Sequence, residues 1–208
     1  MWQRLSHLFS GLRFRIASAL QEELRGEFFI GVDLGKKQDY SVVAVVRRFP
    51  CCLKLVFMKQ FPLGTEYTSV IGYLKILCAR LKHVHIVLVD QTGVGESVVE
   101  EAKKENPLIQ GIMLTMPTKM DIFGYLLMSM QQKIQCASCA TEHPGIQIPY
   151  DDELIAELHN VRYELTKAGQ ILFSHASGTH DDRVIALALA AYASRESAAP
   201  VLIPIRKR

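Results

Sequence analysis

No run of 18 or more apolar residues occurs in this 208-residue sequence; charged or polar side chains interrupt every candidate, so no stretch reads as a transmembrane helix. Surplus charge is nearly absent as well. The 24 lysines and arginines exceed the 21 acids by three, and Arg206, Lys207 and Arg208 alone supply that excess. A body this close to neutral does not advertise a nucleic-acid surface, so any reading toward DNA or RNA has to rest on a site. Cysteines are few and odd in number, five with Cys51 and Cys52 adjacent, which argues against the disulfide framework of a small secreted domain and fits a reducing compartment. Cys136 and Cys139 form one C-x-x-C, but a tetrahedral zinc site needs two more ligands and only His143 lies close in sequence. The plainer reading makes the cysteines small apolar core residues. No internal repeat is visible.

What is present belongs to an ordinary globular protein: 49% hydrophobic and 22% charged residues exclude a disordered or collagen-like chain. Trp2, Leu5, Leu8, Phe9, Leu12, Ile16 and Leu20 recur at helical spacing with Arg4, Arg13 and Arg15 between them, an amphipathic basic helix. The arginines break the continuous apolar centre that a secretory signal requires, while an organelle transit peptide remains an alternative. The expected organisation is this helix over 1–26, one α/β domain over 27–196 and a basic tail over 197–208.

Within the domain, Phe28–Asp33, Ser41–Val46 and Cys51–Phe57 read as three strands joined by short turns, an antiparallel meander. Helix Glu66–Leu81, strand His85–Asp90, helix Glu96–Lys104 and strand Ile109–Leu114 then alternate, as parallel strands with crossovers do. Helices are expected over Asp121–Ile134 and Asp151–Leu165, a loop over Gln135–Pro149, a short strand at Gln170–Phe173, and an alanine-rich helix from Asp181-Asp182 to Ala193. The fold class is α/β, a mixed central sheet flanked by helices.

Asp33 and Asp90 each close an apolar strand, and Asp181-Asp182 open a helix, so all can meet beyond the carboxyl ends of neighbouring strands, where open α/β sheets build their sites. Taken singly, each has a plain reading as a turn residue or helix cap. Taken together, clustered carboxylates repel unless cations sit among them, and oxygen-only ligation selects magnesium or manganese. Two such ions form the clamp used in phosphodiester hydrolysis, one activating water and the other stabilising the leaving oxygen. His180 beside the acids either serves a water, a leaving oxygen or a phosphate, or merely caps the helix. Asp39 reads as a turn residue or as a group behind Asp33, and Arg183 as a partner for one of the acids. Lys36, Lys37 and Lys119 are phosphate candidates or solvated surface.

Three segments carry a family resemblance: Ile30-Gly31-Val32-Asp33-Leu34-Gly35 with Gln38-Asp39-Tyr40-Ser41; Val87-Leu88-Val89-Asp90-Gln91-Thr92-Gly93-Val94-Gly95; and Gly178-Thr179-His180-Asp181-Asp182-Arg183-Val184-Ile185-Ala186-Leu187-Ala188. Together with Ile148-Pro149-Tyr150-Asp151 and Glu157-Leu158, they resemble the nuclease domain of viral terminase large subunits over about Phe28 to Ala193. The resemblance implies a ribonuclease H-like fold and a DNA-cutting endonuclease using two Mg²⁺ or Mn²⁺ ions. It also implies Asp33, Asp90 and Asp182 as principal metal ligands, with Asp181 assisting; these three and the adjacent His180 are the candidate catalytic residues. Double-stranded DNA is the implied substrate, and the location is the cytoplasm, of a host cell if the gene is viral or proviral. The family's ATPase motor has no counterpart in these residues: no G-x-x-x-x-G-K-[ST] occurs, Gly35-Lys36 being followed by Lys37. A separate motor or other packaging subunit docking on the N-terminal helix is therefore an implied partner.

Three rivals share parts of this pattern. A Holliday-junction resolvase has a related fold and acidic site. A DNA-binding or scaffold subunit keeps the fold without hydrolysis. An actin-like ATP-binding protein shares Gly31-Val32-Asp33-Leu34-Gly35 but needs a second lobe and a glycine-pair loop, and no Gly-Gly occurs here.

Overall fold

The computed structural model describes residues 26–35, 39–93, 96–136, 141–165, 171–175 and 180–196. The amphipathic segment over 1–25, Lys36, Lys37, Cys139 and the basic tail lie outside the described residues.

Strands β1 (Glu27–Asp33), β2 (Val42–Arg48) and β3 (Leu53–Gln60) form the expected antiparallel meander, with Glu27 opposite Arg48 and Asp33 opposite Val42. Helix α1 (Tyr67–Arg80) leads to β4 (Val84–Asp90), and α2 (Glu96–Glu105) to β5 (Ile109–Ile112). Both later strands join parallel on the far side of β1, so the sheet order is β5-β4-β1-β2-β3-β8, with β8 (Ile146–Gln147) parallel to β3. β1 is therefore central and buried along nearly its whole length.

Strand alternation divides the core into two layers. Ile30, Val32, Val43, Val45, Val87 and Val89 face α1 and α2. Phe29, Val42, Ala44, Val46, Ile86 and Leu88 face the other helices: α3 (Met116–Gln131), α4 (Asp152–Asn160) and α5 (Asp182–Glu196). Helix α5 is buried from Val184 through Ser194, apolar on all sides as a central helix must be. Its alanines let it lie directly on β1. A Cβ added to Gly31 would collide with the Ala186 carbonyl and the Ala190 amide, so that close approach demands glycine.

Three expectations needed correction. The helix expected over Asp151–Leu165 stops at Asn160; Val161–Leu165 is β9, paired antiparallel with β10 (Ile171–His175). The valine, tyrosine and leucine there satisfy a strand as readily as a helix, and pairing decides it. The expected loop over Gln135–Pro149 contains a hairpin of β6 (Lys133–Cys136) and β7 (Thr141–Pro144) followed by β8. The helix expected from Asp121 starts at Met116, where Thr115 accepts a hydrogen bond from the Thr118 amide and Pro117 sits in the first turn.

Gly31→Ala is expected to lower stability by about 1–3 kcal/mol or more through forced separation of α5 from β1. Urea unfolding checks this; a variant as stable as the wild type would contradict the close contact.

Candidate active site

The parallel pairing of Val32 with Val89 sends β1 and β4 off the sheet side by side, so Asp33 and Asp90 emerge next to one another at its carboxyl edge. Above that edge α5 begins with Asp182, whose Oδ2 accepts a hydrogen bond from the Tyr40 amide at 3.2 Å. His180 Nδ1 lies 3.6 Å from the same oxygen, and the His180 ring meets Tyr40 edge-on with centroids 5.4 Å apart. One ligand atom from each of Asp39, His180 and Asp182 falls within 4.8 Å of the others. Among the described residues Asp33, Asp90 and Asp182 do not close to that distance as a trio.

Asp90 is pinned where it stands. Its Oδ1 accepts from the Thr92 amide at 2.8 Å and the Thr92 hydroxyl at 2.6 Å, and that hydroxyl in turn accepts from the Leu114 amide at 2.8 Å. The turn after β4 is thereby tied to the chain leaving β5, leaving the other Asp90 oxygen for the site.

Asp33 and Asp182 are 8% and 7% exposed, unusual values for carboxyl groups. Burial pushes the Asp33 carboxyl well above the ordinary carboxylate range, and the neighbouring charges of Asp182, Asp90, Asp181 and Asp39 push it the same way. Asp182 is also raised, chiefly by burial, against the opposing effects of the Tyr40 amide and His180. A buried acidic group surrounded by four further carboxylates is a site that a divalent cation would relieve, and its all-oxygen donors suit magnesium or manganese.

Arg183 is directed away from these acids. Its guanidinium pairs with Glu153 and lies 3.6 Å from Asp151 and 3.8 Å from Glu157, while Nε donates to Gln60 at 2.9 Å. It therefore ties α5 to α4 and β3. Glu157 has a role the sequence pattern did not reveal: its Oε2 accepts from the Arg183 and Val184 amides at 2.9 and 3.2 Å, capping α5 from a neighbouring helix. Burial raises its pKa to about 7 despite those bonds. Lys119 sits in the first turn of α3, and the described residues show no ion pair for it.

A sheet ordered β5-β4-β1-β2-β3, with aspartates closing β1 and β4 and opening the helix laid across them, is a ribonuclease H-like α/β fold with an acidic site. Over 165 residues the chain is 31% identical to the terminase large subunit of Thermus phage G20c and 32% identical to that of Thermus virus P23-45. Each alignment takes in 78% of this chain and 31% of the relative, so the chain spans about a third of the length of these curated relatives. The crystal structure of the large terminase nuclease from phage G20c is 26% identical, with a TM-score of 0.63 over 79% of this chain and 80% of that one. The same nuclease with bound magnesium superposes with a TM-score of 0.64. The large terminase of bacteriophage HK97, 9% identical with a TM-score of 0.60 over 81% of this chain and 40% of that one, shares the fold. No family model matches the chain. The chain is therefore homologous over 165 residues to phage terminase large subunits, and its fold matches that of the G20c large terminase nuclease.

Because the folded state raises the Asp33 pKa, this group favours folding below the ordinary carboxylate range and loses that contribution as pH rises through its raised value. In EDTA, Asp33→Asn should melt above the wild type at neutral pH, with the gap narrowing toward pH 4. A lower midpoint at neutral pH would contradict the repulsion.

Proposed function

We propose that the chain is a metal-dependent endonuclease that hydrolyses phosphodiester bonds of double-stranded DNA with two Mg²⁺ or Mn²⁺ ions. The observation that carries this reading is the buried Asp33 carboxylate, set beside Asp90 by strand pairing and beside Asp182 by the seating of α5. The homologous G20c nuclease with bound magnesium supports the choice of ion.

In this reading Asp33, Asp90 and Asp182 are the principal metal ligands and Asp181 assists. When bound, the cations would activate the attacking water and stabilise the leaving oxygen. The chain's own contribution is placement. Strand pairing sets the separation of Asp33 and Asp90, the Thr92 contacts hold Asp90 in one orientation, and the Tyr40 amide does the same for Asp182. His180, half-exposed at the rim with Nδ1 3.6 Å from Asp182 Oδ2, would hold a phosphate oxygen or pass a proton at Nε2.

The domain would occupy 27–196, with the basic amphipathic segment 1–26 as the docking element for an ATPase motor or another packaging subunit, and 197–208 as a basic tail. The complex would work on DNA in the cytoplasm, of a host cell if the gene is viral. No described helix is long and apolar enough to cross a membrane.

Supercoiled plasmid incubated with the protein in Mn²⁺, Mg²⁺ or EDTA tests the activity. Nicking and linearisation are expected with either metal and not in EDTA, and Asp33→Ala, Asp90→Ala and Asp182→Ala should each reduce the rate at least about a hundredfold. Full cleavage by Asp33→Ala would overturn the site, and equal DNA binding with no cutting in any metal would favour a binding subunit of the same fold.

A further inference from the structure

A second group of metal-ligating side chains lies at the opposite end of the sheet. Cys51 and Cys52 occupy the β2–β3 turn, and His143 lies on β7. One ligand atom from each of the three falls within 4.8 Å of the others. The β1–β2 register places Asp33 opposite Val42 and Glu27 opposite Arg48, so this turn is separated from the aspartates by the length of β2, roughly 20 Å at about 3.3 Å per residue.

We propose that Cys51, Cys52 and His143 form a binding site for a thiophilic divalent cation, zinc foremost, which cross-links the β2–β3 turn to the β6–β7 hairpin.

Backbone contacts hold both loops in place. The Phe49 amide donates to the Cys52 carbonyl at 2.8 Å, closing the turn that presents the two thiols. The Leu53 amide donates to the Gly145 carbonyl at 2.8 Å, and Leu53 pairs with Ile146, fastening the chain just after His143 to the chain just after Cys52. The cluster therefore does not depend on long side chains reaching across open space.

The histidine ring is held by the backbone. His143 Nδ1 lies 2.9 Å from the Pro144 carbonyl, and an Nδ1–H donating there leaves the lone pair on Nε2. Metal-bound histidines are commonly held by this contact, which fixes ring orientation and tautomer. Tetrahedral zinc, with bonds of about 2.3 Å to sulfur and about 2.0 Å to nitrogen, places its ligand atoms about 3.5–3.8 Å apart.

Donor chemistry separates the two sites. Two thiolates and an imidazole select zinc over magnesium or manganese, whereas the aspartates at the other edge make the reverse choice. Cys52 is buried and Cys51 and His143 are half-buried, so a cation reaches them from one side. That side opens into a groove of about 370 Å³ lined by Phe49, Pro50, Lys54, Thr141 and Gln147, with room for a fourth donor such as water. Binding exchanges two S–H bonds for two S–Zn bonds and releases two protons to solvent.

The test is a cobalt titration of the full chain, purified with a phosphine reductant and stripped with a chelator. Thiolate-to-cobalt charge-transfer absorption should appear with the visible bands of tetrahedral Co²⁺ and be bleached by one equivalent of zinc. Cys51→Ser and His143→Ala should each weaken cobalt binding at least about tenfold. Asp182→Asn, at the other edge, should leave the spectrum unchanged. Zinc should raise the thermal midpoint of the wild type and not of Cys51→Ser. Absence of a charge-transfer band from the folded wild-type protein overturns the proposal without recourse to a variant. So does a band that survives both Cys51→Ser and His143→Ala.

Discussion

Close contact between an alanine-rich helix and the central strand governs this molecule. Because Gly31 has no side chain and Ala186 and Ala190 have almost none, α5 lies directly on β1, and its first turn reaches the carboxyl edge of the sheet. The position of Asp182 relative to Asp33 follows from that packing and not from any contact between the two acids. Glu157 and Arg183 reinforce it. One caps α5 with a carboxylate from α4, and the other ties the start of α5 to α4 and β3.

The same packing creates an electrostatic problem. The core buries the carboxyl groups of Asp33 and Asp182 among further acids and raises the pKa of both. A fold selected for stability alone has no need of this arrangement, since buried carboxylates cost free energy unless paired. The Tyr40 amide and His180 offset part of the cost at Asp182. In the proposed function divalent cations offset the rest, linking the strain in the metal-free protein to the chemistry of the site.

Much of this was legible in the sequence, for identifiable reasons. Apolar runs, valine-rich in β2 and β4, and the polar turn after β1 mark these strands, and strand-terminal Asp33 and Asp90 meet because the topology makes their strands neighbours. The resemblance to the terminase nuclease domain rested on those same segments and agrees with the relatives found. The 133–147 region resisted reading because strands of two to four residues around Pro144 and Gly145 show no alternation. Asn160 to Leu165 resisted because its apolar spacing suits both helix and strand. Glu157 as a cap and the meeting of Cys51, Cys52 and His143 depend on contacts between distant segments. In the sequence His143 stands near Cys136 and Cys139, and the fold brings it as well to the β2–β3 turn.

The central claim is that the acidic edge holds two cations in positions set by β1, β4 and α5. The most direct measurement is a crystal structure grown with Mn²⁺, with data collected to locate manganese by its anomalous scattering. Two peaks about 3.5–4 Å apart, bounded by Asp33, Asp90 and Asp182, are expected. A site without manganese among these three carboxylates at saturating metal, or manganese bound only at other side chains, would contradict it.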